Sequence, residues 1–195
     1  MKRKVSTGVL IALLIAVGVY IYADNTIVKE TDLESDHAIF KNYNEALEKS
    51  DVVLEVTATS DSQNILDNQD DAVTTGHTIT TVKINKVFEN KTVHEVGLTL
   101  ESGAAIEILE PTYTVNNGIE PGVTRFNYED YTKMIPNIDY VLFLKWDDSR
   151  GAYWVNSLEQ GKFNLDNQDT KEISVAGSKE QYEKLKEDVL NNLYR

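Results

Sequence analysis

Two identical acidic pentapeptides are the residues whose types and spacing most directly suggest chemistry. The string Leu-Asp-Asn-Gln-Asp occurs at 66–70 and again at 165–169, and both copies are predicted to lie in polar loops. Carboxylate and amide oxygens are ligands that calcium prefers. Neither copy, however, has the glycine or the terminal glutamate of an EF-hand loop. We therefore interpret both copies as solvated acidic turns, and the sequence predicts no metal site and no bound cofactor.

The other residue types that support catalysis form no recognisable pattern. The histidines His37, His77 and His94 fall at a helix start, a strand start and a turn, so none pairs with another at helical ligand spacing. No string resembles a nucleophile elbow or a phosphate-binding glycine loop. The chain has 32 acidic residues, too many for the sequence to distinguish one pair. We therefore predict that the protein is not an enzyme, with an envelope hydrolase that uses paired carboxylates as an alternative.

Aromatic residues give the best candidates for binding. Their flat faces can stack on a glycan or hold a peptide. Tyr128 and Tyr131 are the predicted binding residues because their neighbours Asn127, Glu129 and Asp130 do not follow a core pattern. Most of the remaining aromatic residues are expected to pack in the core. The aromatic residues concentrated in the second half of the chain are Tyr113, Phe126, Tyr128, Tyr131, Trp146, Tyr153 and Trp154.

Composition excludes several functional classes. The net charge is −13 at pH 7, although Lys2, Arg3 and Lys4 stand in a first segment that has no acid. A nucleic-acid partner is excluded because a folded part this acidic has no basic surface to displace counterions from phosphates. The chain has no cysteine, which excludes disulfides, thiolate metal sites and cysteine nucleophiles.

The amino-terminal segment predicts export. Residues 5–23 carry no charge, and a helix of this length crosses a hydrocarbon core of about 30 Å. The preceding cations favour a cytoplasmic amino terminus, and Tyr20 and Tyr22 suit an outer interfacial belt. We therefore predict a single-pass anchor in the cell membrane over 1–23, a polar stalk over 24–35 and one extracytoplasmic domain over 36–195. The alternative is a cleaved signal peptide, which would make the domain a secreted one.

Hydrophobic periodicity predicts a mainly β domain with a helix at each end. Apolar residues at helical spacing, including Phe40 and Leu47, are followed from Asp51 by residues that alternate in the two-residue period of a strand. Apolar residues at helical spacing return in the segment that starts at Ser178. The run at 140–146 is apolar on both faces, which is typical of a central strand. The segment 60–76 is predicted as a polar loop. Further strands are predicted at 52–59, 77–88, 96–100, 104–110, 112–115, 152–156, 161–165 and 172–176.

The order of these elements resembles the netrin-like domain, the fold of tissue inhibitors of metalloproteinases. Ser50-Asp51-Val52-Val53 resembles the helix-to-strand junction of that family, and Lys86-Val87-Phe88-Glu89-Asn90 resembles the turn that ends its next strand. The resemblance covers about residues 36–165 and implies a five-stranded, closed OB-type barrel in a bacterial membrane-anchored surface protein. The inhibitors' zinc-binding amino-terminal cysteine and their disulfides have no counterpart here, so the resemblance transfers no inhibitory residue.

Together these observations predict a non-enzymatic binding module, held outside the membrane by its amino-terminal helix. The expected ligand is an envelope protein or a cell-envelope component such as a glycan. A protease-inhibitor-like module is an alternative, with 60–76 or 112–128 as the inserting loop.

Overall fold

The computed structural model describes residues 7–69, 72–91, 100–175 and 179–195. The chain forms two compact units, one of residues 1–31 with 114–126 and one of residues 32–113 with 127–195. The predicted mainly β class with a helix near each end is confirmed, because strands account for 44% of the structure and helices for 27%. In chain order the elements are α1 (Thr7–Thr26), β1 (Val28–Leu33), α2 (Tyr43–Lys49), β2 (Val52–Gln69), β3 (Ala72–Asn90), β4 (Ala105–Glu110), β5 (Thr112–Asn116), β6 (Val123–Tyr128), β7 (Asp139–Asp147), β8 (Ala152–Val155), β9 (Lys162–Asn164), α3 (Thr170–Val175) and α4 (Lys179–Leu193).

The first unit contains α1 and most of a three-stranded sheet in the order β1-β6-β5. The segment 24–35, predicted as a stalk, instead completes α1 and forms β1. Salt bridges join Lys29 to Glu120 at 2.8 Å and Arg125 to Glu30 at 3.2 Å. Within the described residues, no helix has the length and the hydropathy needed to cross a membrane.

The second unit is organised around β7. The sheet order is β2-β3-β4-β8-β7-β9, and β2 also pairs with β7. Five of these strands each pair with two others from the same group of five, which is β2, β3, β4, β7 and β8. All of these pairings are antiparallel except that of β4 with β8, which is parallel.

Both faces of β7 are covered by apolar side chains, as the sequence predicts. On one face Tyr140, Leu142 and Leu144 pack with core residues of β2, β3, β4 and β8. On the other face Val141 and Phe143 pack with residues of α2 and α4. Alternate side chains of β7 therefore belong to two separate clusters of the core. This double coverage makes β7 the central strand.

Three predictions of local structure are wrong. The segment 60–76 is not a polar loop, because its described residues extend β2 and β3 into a long antiparallel ladder. The string at 172–176 is not a strand, because α3 occupies 170–175. The helix predicted before the first strand of the domain corresponds to α2, which begins at Tyr43 and not near Ile39. The Asn42 side chain caps it by accepting a hydrogen bond from the Glu45 amide. Most of the strand predicted at 96–100 lies outside the described residues.

Candidate ligand-binding cleft

The predicted binding residues Tyr128 and Tyr131 do not form a surface site. Tyr131 is completely buried, and its hydroxyl donates a hydrogen bond of 2.8 Å to Glu110 Oε2. Tyr128 is half-buried, and its hydroxyl is hydrogen-bonded to Thr75. The surface role predicted for Tyr131 is wrong, because tertiary packing places its ring in the core. The polar residues beside it in the sequence do not indicate this packing.

The structure instead brings other aromatic and charged residues together at an open cleft. This cleft has a volume of about 570 Å³ and lies within the second unit. Trp146 and Trp154, from the hairpin of β7 and β8, form its aromatic lining. The residues that supply its polar groups include Asp36, His37, Asp147, Arg150 and Ser157.

Neighbouring side chains fix the two tryptophans. The ring of Trp146 packs edge-to-face on Tyr153, with 5.0 Å between the ring centroids. The guanidinium of Arg150 lies 5.7 Å from the centroid of Trp154, within cation–π range. Both indoles are partly exposed. The cleft thus offers flat apolar surface beside a positive charge before any ligand binds.

The β7–β8 turn holds Arg150 at the rim of the cleft. Asp147 accepts hydrogen bonds from the Ser149 amide at 2.9 Å and from the Arg150 amide at 3.2 Å. Its carboxylate also lies 2.7 Å from Arg150 Nη1. The hydrogen bond from the Ser149 hydroxyl is the main cause that lowers the pKa of Asp147 to about 2. The turn therefore keeps an ionised carboxylate and a guanidinium in a fixed arrangement.

A partly buried histidine–glutamate pair includes one lining residue of the cleft, His37. His37 Nδ1 is 3.2 Å from the Ser35 carbonyl oxygen, so this nitrogen carries a hydrogen. His37 Nε2 faces Glu159 Oε1 at 3.5 Å. Two acceptors cannot face each other favourably, so a proton must reside on Nε2 or on the carboxylate. Burial raises the pKa of Glu159, and the electrostatic effect of His37 opposes that rise.

Ser157 gives the cleft an unusual hydroxyl. Its backbone is left-handed, with φ of 57°, and Leu158 follows at 54°. A non-glycine residue adopts this conformation at a cost in backbone strain. The Ser157 Oγ is buried and has no hydrogen-bond partner within the described part of the chain. Ser157 forms no nucleophile–base pair among the described hydrogen bonds.

A second polar cluster, around Lys162, is closed to solvent. The Lys162 ammonium lies 3.3 Å from Asp169, 3.7 Å from Glu172 and 3.1 Å from the Thr132 hydroxyl. It also lies 5.0 Å from the ring centroid of Tyr140, whose pKa is raised mainly by burial. These carboxylates are neutralised by lysine and buried, so they do not form the exposed acid pair that a hydrolase needs.

The duplicated acidic strings have different structures. In the first copy, Asp67 lies in β2 opposite Thr75, so the loop prediction is wrong there, and Asp70 is outside the described residues. The second copy precedes α3, and Asp169 Oδ1 accepts a hydrogen bond of 3.2 Å from the Glu172 amide. Within the described residues, no group of three or more histidine, aspartate or glutamate side chains is arranged to hold a metal ion.

Comparison with known proteins adds no assignment. No protein-family model matches the chain, and no curated protein matches it. The resemblance to the netrin-like domain therefore stays a prediction that rests on the strand-end residues and the order of the elements.

Sequence reasoning missed most of the cleft. The aromatic pattern of the sequence includes Trp146 and Trp154, but no sequence motif indicates Arg150, Asp147 or Ser157. One signal was available, since the two tryptophans flank a short hairpin turn that contains Asp147 and Arg150. The contribution of His37 depends on a contact across more than 100 residues of sequence, which no local pattern indicates.

Proposed function

We propose that this chain is a membrane-anchored, extracytoplasmic binding module that catalyses no reaction and binds a cell-envelope glycan in the cleft. The single observation that carries this proposal is the pair of partly exposed tryptophans beside Arg150 and Asp147. Sugar rings present an apolar face for stacking and hydroxyls at their edges for hydrogen bonding. The cleft offers indole faces for stacking and a guanidinium–carboxylate pair for hydrogen bonding, which match both requirements.

The proposed anchor is the uncharged segment 5–23, most of which forms α1. Its large apolar side chains are exposed around most of the helix circumference, an arrangement that is unfavourable in water and favourable in lipid. The exposed side chains are those of Ile11, Leu13, Leu14, Ile15, Val17, Val19 and Ile21. Protease added to intact protoplasts is expected to digest the domain. Survival of the full-length chain would contradict an extracytoplasmic location.

We further propose that the second unit is a closed five-stranded barrel of the OB type, related to the netrin-like domain. The support is the set of pairings, in which β2 contacts both β3 and β7 and in which β4 and β8 are parallel. A closed arrangement of this kind removes the unpaired edges that an open sheet exposes. The long ladder of β2 and β3 then extends beyond the proposed barrel.

Ligand titration tests the cleft. The intrinsic tryptophan fluorescence of the full chain in detergent micelles is measured against soluble disaccharide–peptide fragments of peptidoglycan. Saturable binding is expected, and Trp154→Ala is expected to weaken it by about 2 kcal/mol, or about 30-fold in Kd. Trp154→Phe, which keeps a ring, is expected to lose less affinity.

Tyr194→Ala is the matched control, because this tyrosine is an exposed aromatic residue that does not line the cleft. It is expected to leave the affinity unchanged. Equal losses for Trp154→Ala and Tyr194→Ala, or no saturable binding by the wild-type chain, would contradict a glycan site at the cleft. Glycan cleavage by the purified chain would favour the alternative of an envelope hydrolase, and inhibition of an added protease would favour the inhibitor-like module.

A further inference from the structure

The loop between β5 and β6 presents the most exposed large apolar side chain of the described residues. Ile119 is 94% exposed. The loop is held in shape around it, because Asn116 Oδ1 accepts a hydrogen bond of 2.7 Å from the Gly118 amide, and Gly118 has a φ of +71°. An isoleucine at the tip of an ordered turn has no packing role, which makes it a candidate contact residue.

The same loop is attached to the end of α1. The Tyr20 hydroxyl donates a hydrogen bond of 3.2 Å to the Ile119 carbonyl oxygen, and Asp24 Oδ1 accepts one of 2.9 Å from the Gly122 amide. Gly122 approaches Ile27 so closely that an added Cβ would lie 2.4 Å from the Ile27 carbonyl oxygen. The loop therefore has a fixed position along the helix axis, beside Tyr20.

This position sets the depth of Ile119 relative to the proposed anchor. Tyr20 precedes the first acidic residue, Asp24, by four residues, or about 6 Å along a helix. Tyrosine at that place suits the outer interfacial region of a bilayer. With α1 as the anchor, a loop tip that is hydrogen-bonded to Tyr20 is thus placed at the level of that interfacial region, on the anchor side of Asp24.

The charges around the loop are compatible with a lipid surface. Residues 24–31 and 114–126 contain two cations and three acids, in contrast to the strong acidity of the whole chain. Lys29 pairs with Glu120 and Arg125 with Glu30, so the acids nearest the loop are partly neutralised. The first unit therefore lacks the repulsion from anionic lipids that the whole chain's net charge would produce.

We propose that the loop 117–121 makes a second lipid contact, in which Ile119 enters the interfacial region of the bilayer that holds α1. This inference rests on the proposed anchor. The two contacts together restrict tilt of the first unit relative to the bilayer, because tilting the helix would change the depth of the second, off-axis contact.

The absence of cysteine allows a clean test with the full chain. Ile119→Cys is labelled with a small environment-sensitive fluorophore, and the chain is reconstituted into vesicles of phosphatidylcholine and phosphatidylglycerol. Lipids that carry a nitroxide at a shallow position of the acyl chain are expected to quench the label at 119 several-fold more than a label at Thr31→Cys, an exposed position of β1 in the same unit. Tyr20→Phe, which removes the hydrogen bond to the loop, is expected to reduce quenching at 119 without changing flotation of the chain with the vesicles.

The outcomes separate the two proposals. A chain that stays in the soluble fraction overturns both the anchor and the loop contact. A chain that floats with the vesicles but shows equal quenching at 119 and 31, or none at 119, keeps the anchor and overturns the lipid contact. To test whether the label itself drives insertion, unlabelled Ile119→Asp is compared with the wild type for protection of the loop from added protease. Loss of protection in this variant supports the contact, and unchanged protection overturns it.

Discussion

The Lys162 ammonium and the Asp169 carboxylate lie 3.3 Å apart, and their side chains are 1% and 0% exposed. The pair joins β9 to the start of α3, and Tyr140 donates a further hydrogen bond of 2.9 Å to the same carboxylate oxygen. Burial removes the water that would otherwise solvate these charges, so each charge depends on the other.

Removing one member of this pair is expected to be strongly destabilising. Lys162→Met leaves Asp169 buried without its cation and leaves Glu172 with Lys186 at 3.5 Å. We therefore expect the free energy of unfolding to fall by about 3–5 kcal/mol. The double variant with Asp169→Asn is expected to cost less than the sum of the two single variants, because it removes both charges. Urea unfolding of the three variants measures this coupling. Additive losses would show that the two side chains do not interact.

The central position of β7 predicts large losses on truncation of its side chains. Leu142 and Leu144 are fully buried in the same cluster of the core. We expect either leucine-to-alanine substitution to lower the free energy of unfolding by about 2–5 kcal/mol. Leu193→Ala, at the half-buried end of α4, is the control and is expected to cost less. Losses well below about 1 kcal/mol at both β7 positions would contradict a central strand.

The buried Glu159 predicts a specific dependence of stability on pH. Its pKa is raised from the ordinary 4.5, mainly by burial. The folded state therefore favours the protonated acid, and stability is lost as the pH rises from about 4.5 through the pKa of the folded form. Glu159→Gln keeps the shape and removes this titration, so its stability relative to wild type is expected to increase over that range. Chemical unfolding at a series of pH values measures the difference.

Glu48→Gln, on the exposed side of α2, controls for the loss of one acidic charge. The compared quantity is the change in the free energy of unfolding from wild type. If this change is independent of pH for Glu159→Gln, or equals the change for Glu48→Gln, then Glu159 is not held in an unfavourable environment.

The parts of the fold that follow from sequence are those with a strong apolar period. The run at 140–146 is apolar at every position but one, and the structure covers both faces of the strand it forms. The stripe of Tyr182, Leu185 and Val189 likewise predicts α4, because one face of the helix must pack on the core. In both elements the side chains that determine the structure are local in sequence.

Elements held by backbone pairing or by single polar contacts could not be predicted in this way. The extension of β2 beyond Thr59 carries exposed polar side chains such as Asp61 and Gln63, so its strand conformation depends on β3 and not on a hydrophobic pattern. The helix α3 replaced a predicted strand because Asp169 caps its first turn. An aspartate three residues before Glu172 was a usable signal, and the apolar residues Ile173 and Val175 obscured it.

The candidate site was even less accessible to sequence reasoning. Its aromatic residues can be enumerated from sequence, but their exposure cannot. Tyr131 is buried although its sequence neighbours are polar, and Trp154 is partly exposed although its sequence neighbours are apolar. The pair of His37 and Glu159 comes from segments separated by more than 100 residues. Only tertiary structure determines which of these residues share a cleft.

The two acidic pentapeptides are expected to bind no calcium specifically. In the second copy, Asp166 Oδ1 already accepts hydrogen bonds from the Asn164 amide group at 2.8 Å and from the Gln168 main-chain amide at 3.0 Å. Asp169 is occupied by Tyr140 and Lys162. The first copy enters β2, and a strand spreads consecutive side chains over both faces and so cannot surround an ion.

Non-specific attraction of divalent ions remains expected for a chain with a net charge of −13, and salt screens it over roughly 10 Å at about 0.1 M. A specific site survives that screening. Calorimetric titration of the full chain with calcium at about 0.15 M salt is therefore expected to show no saturable binding in the micromolar range. Asp67→Asn and Asp166→Asn are the matched variants, one in each copy, and both are expected to match the wild type. Stoichiometric binding that either substitution abolishes would assign a calcium site to that copy, because only a coordinating carboxylate makes saturable binding depend on one aspartate.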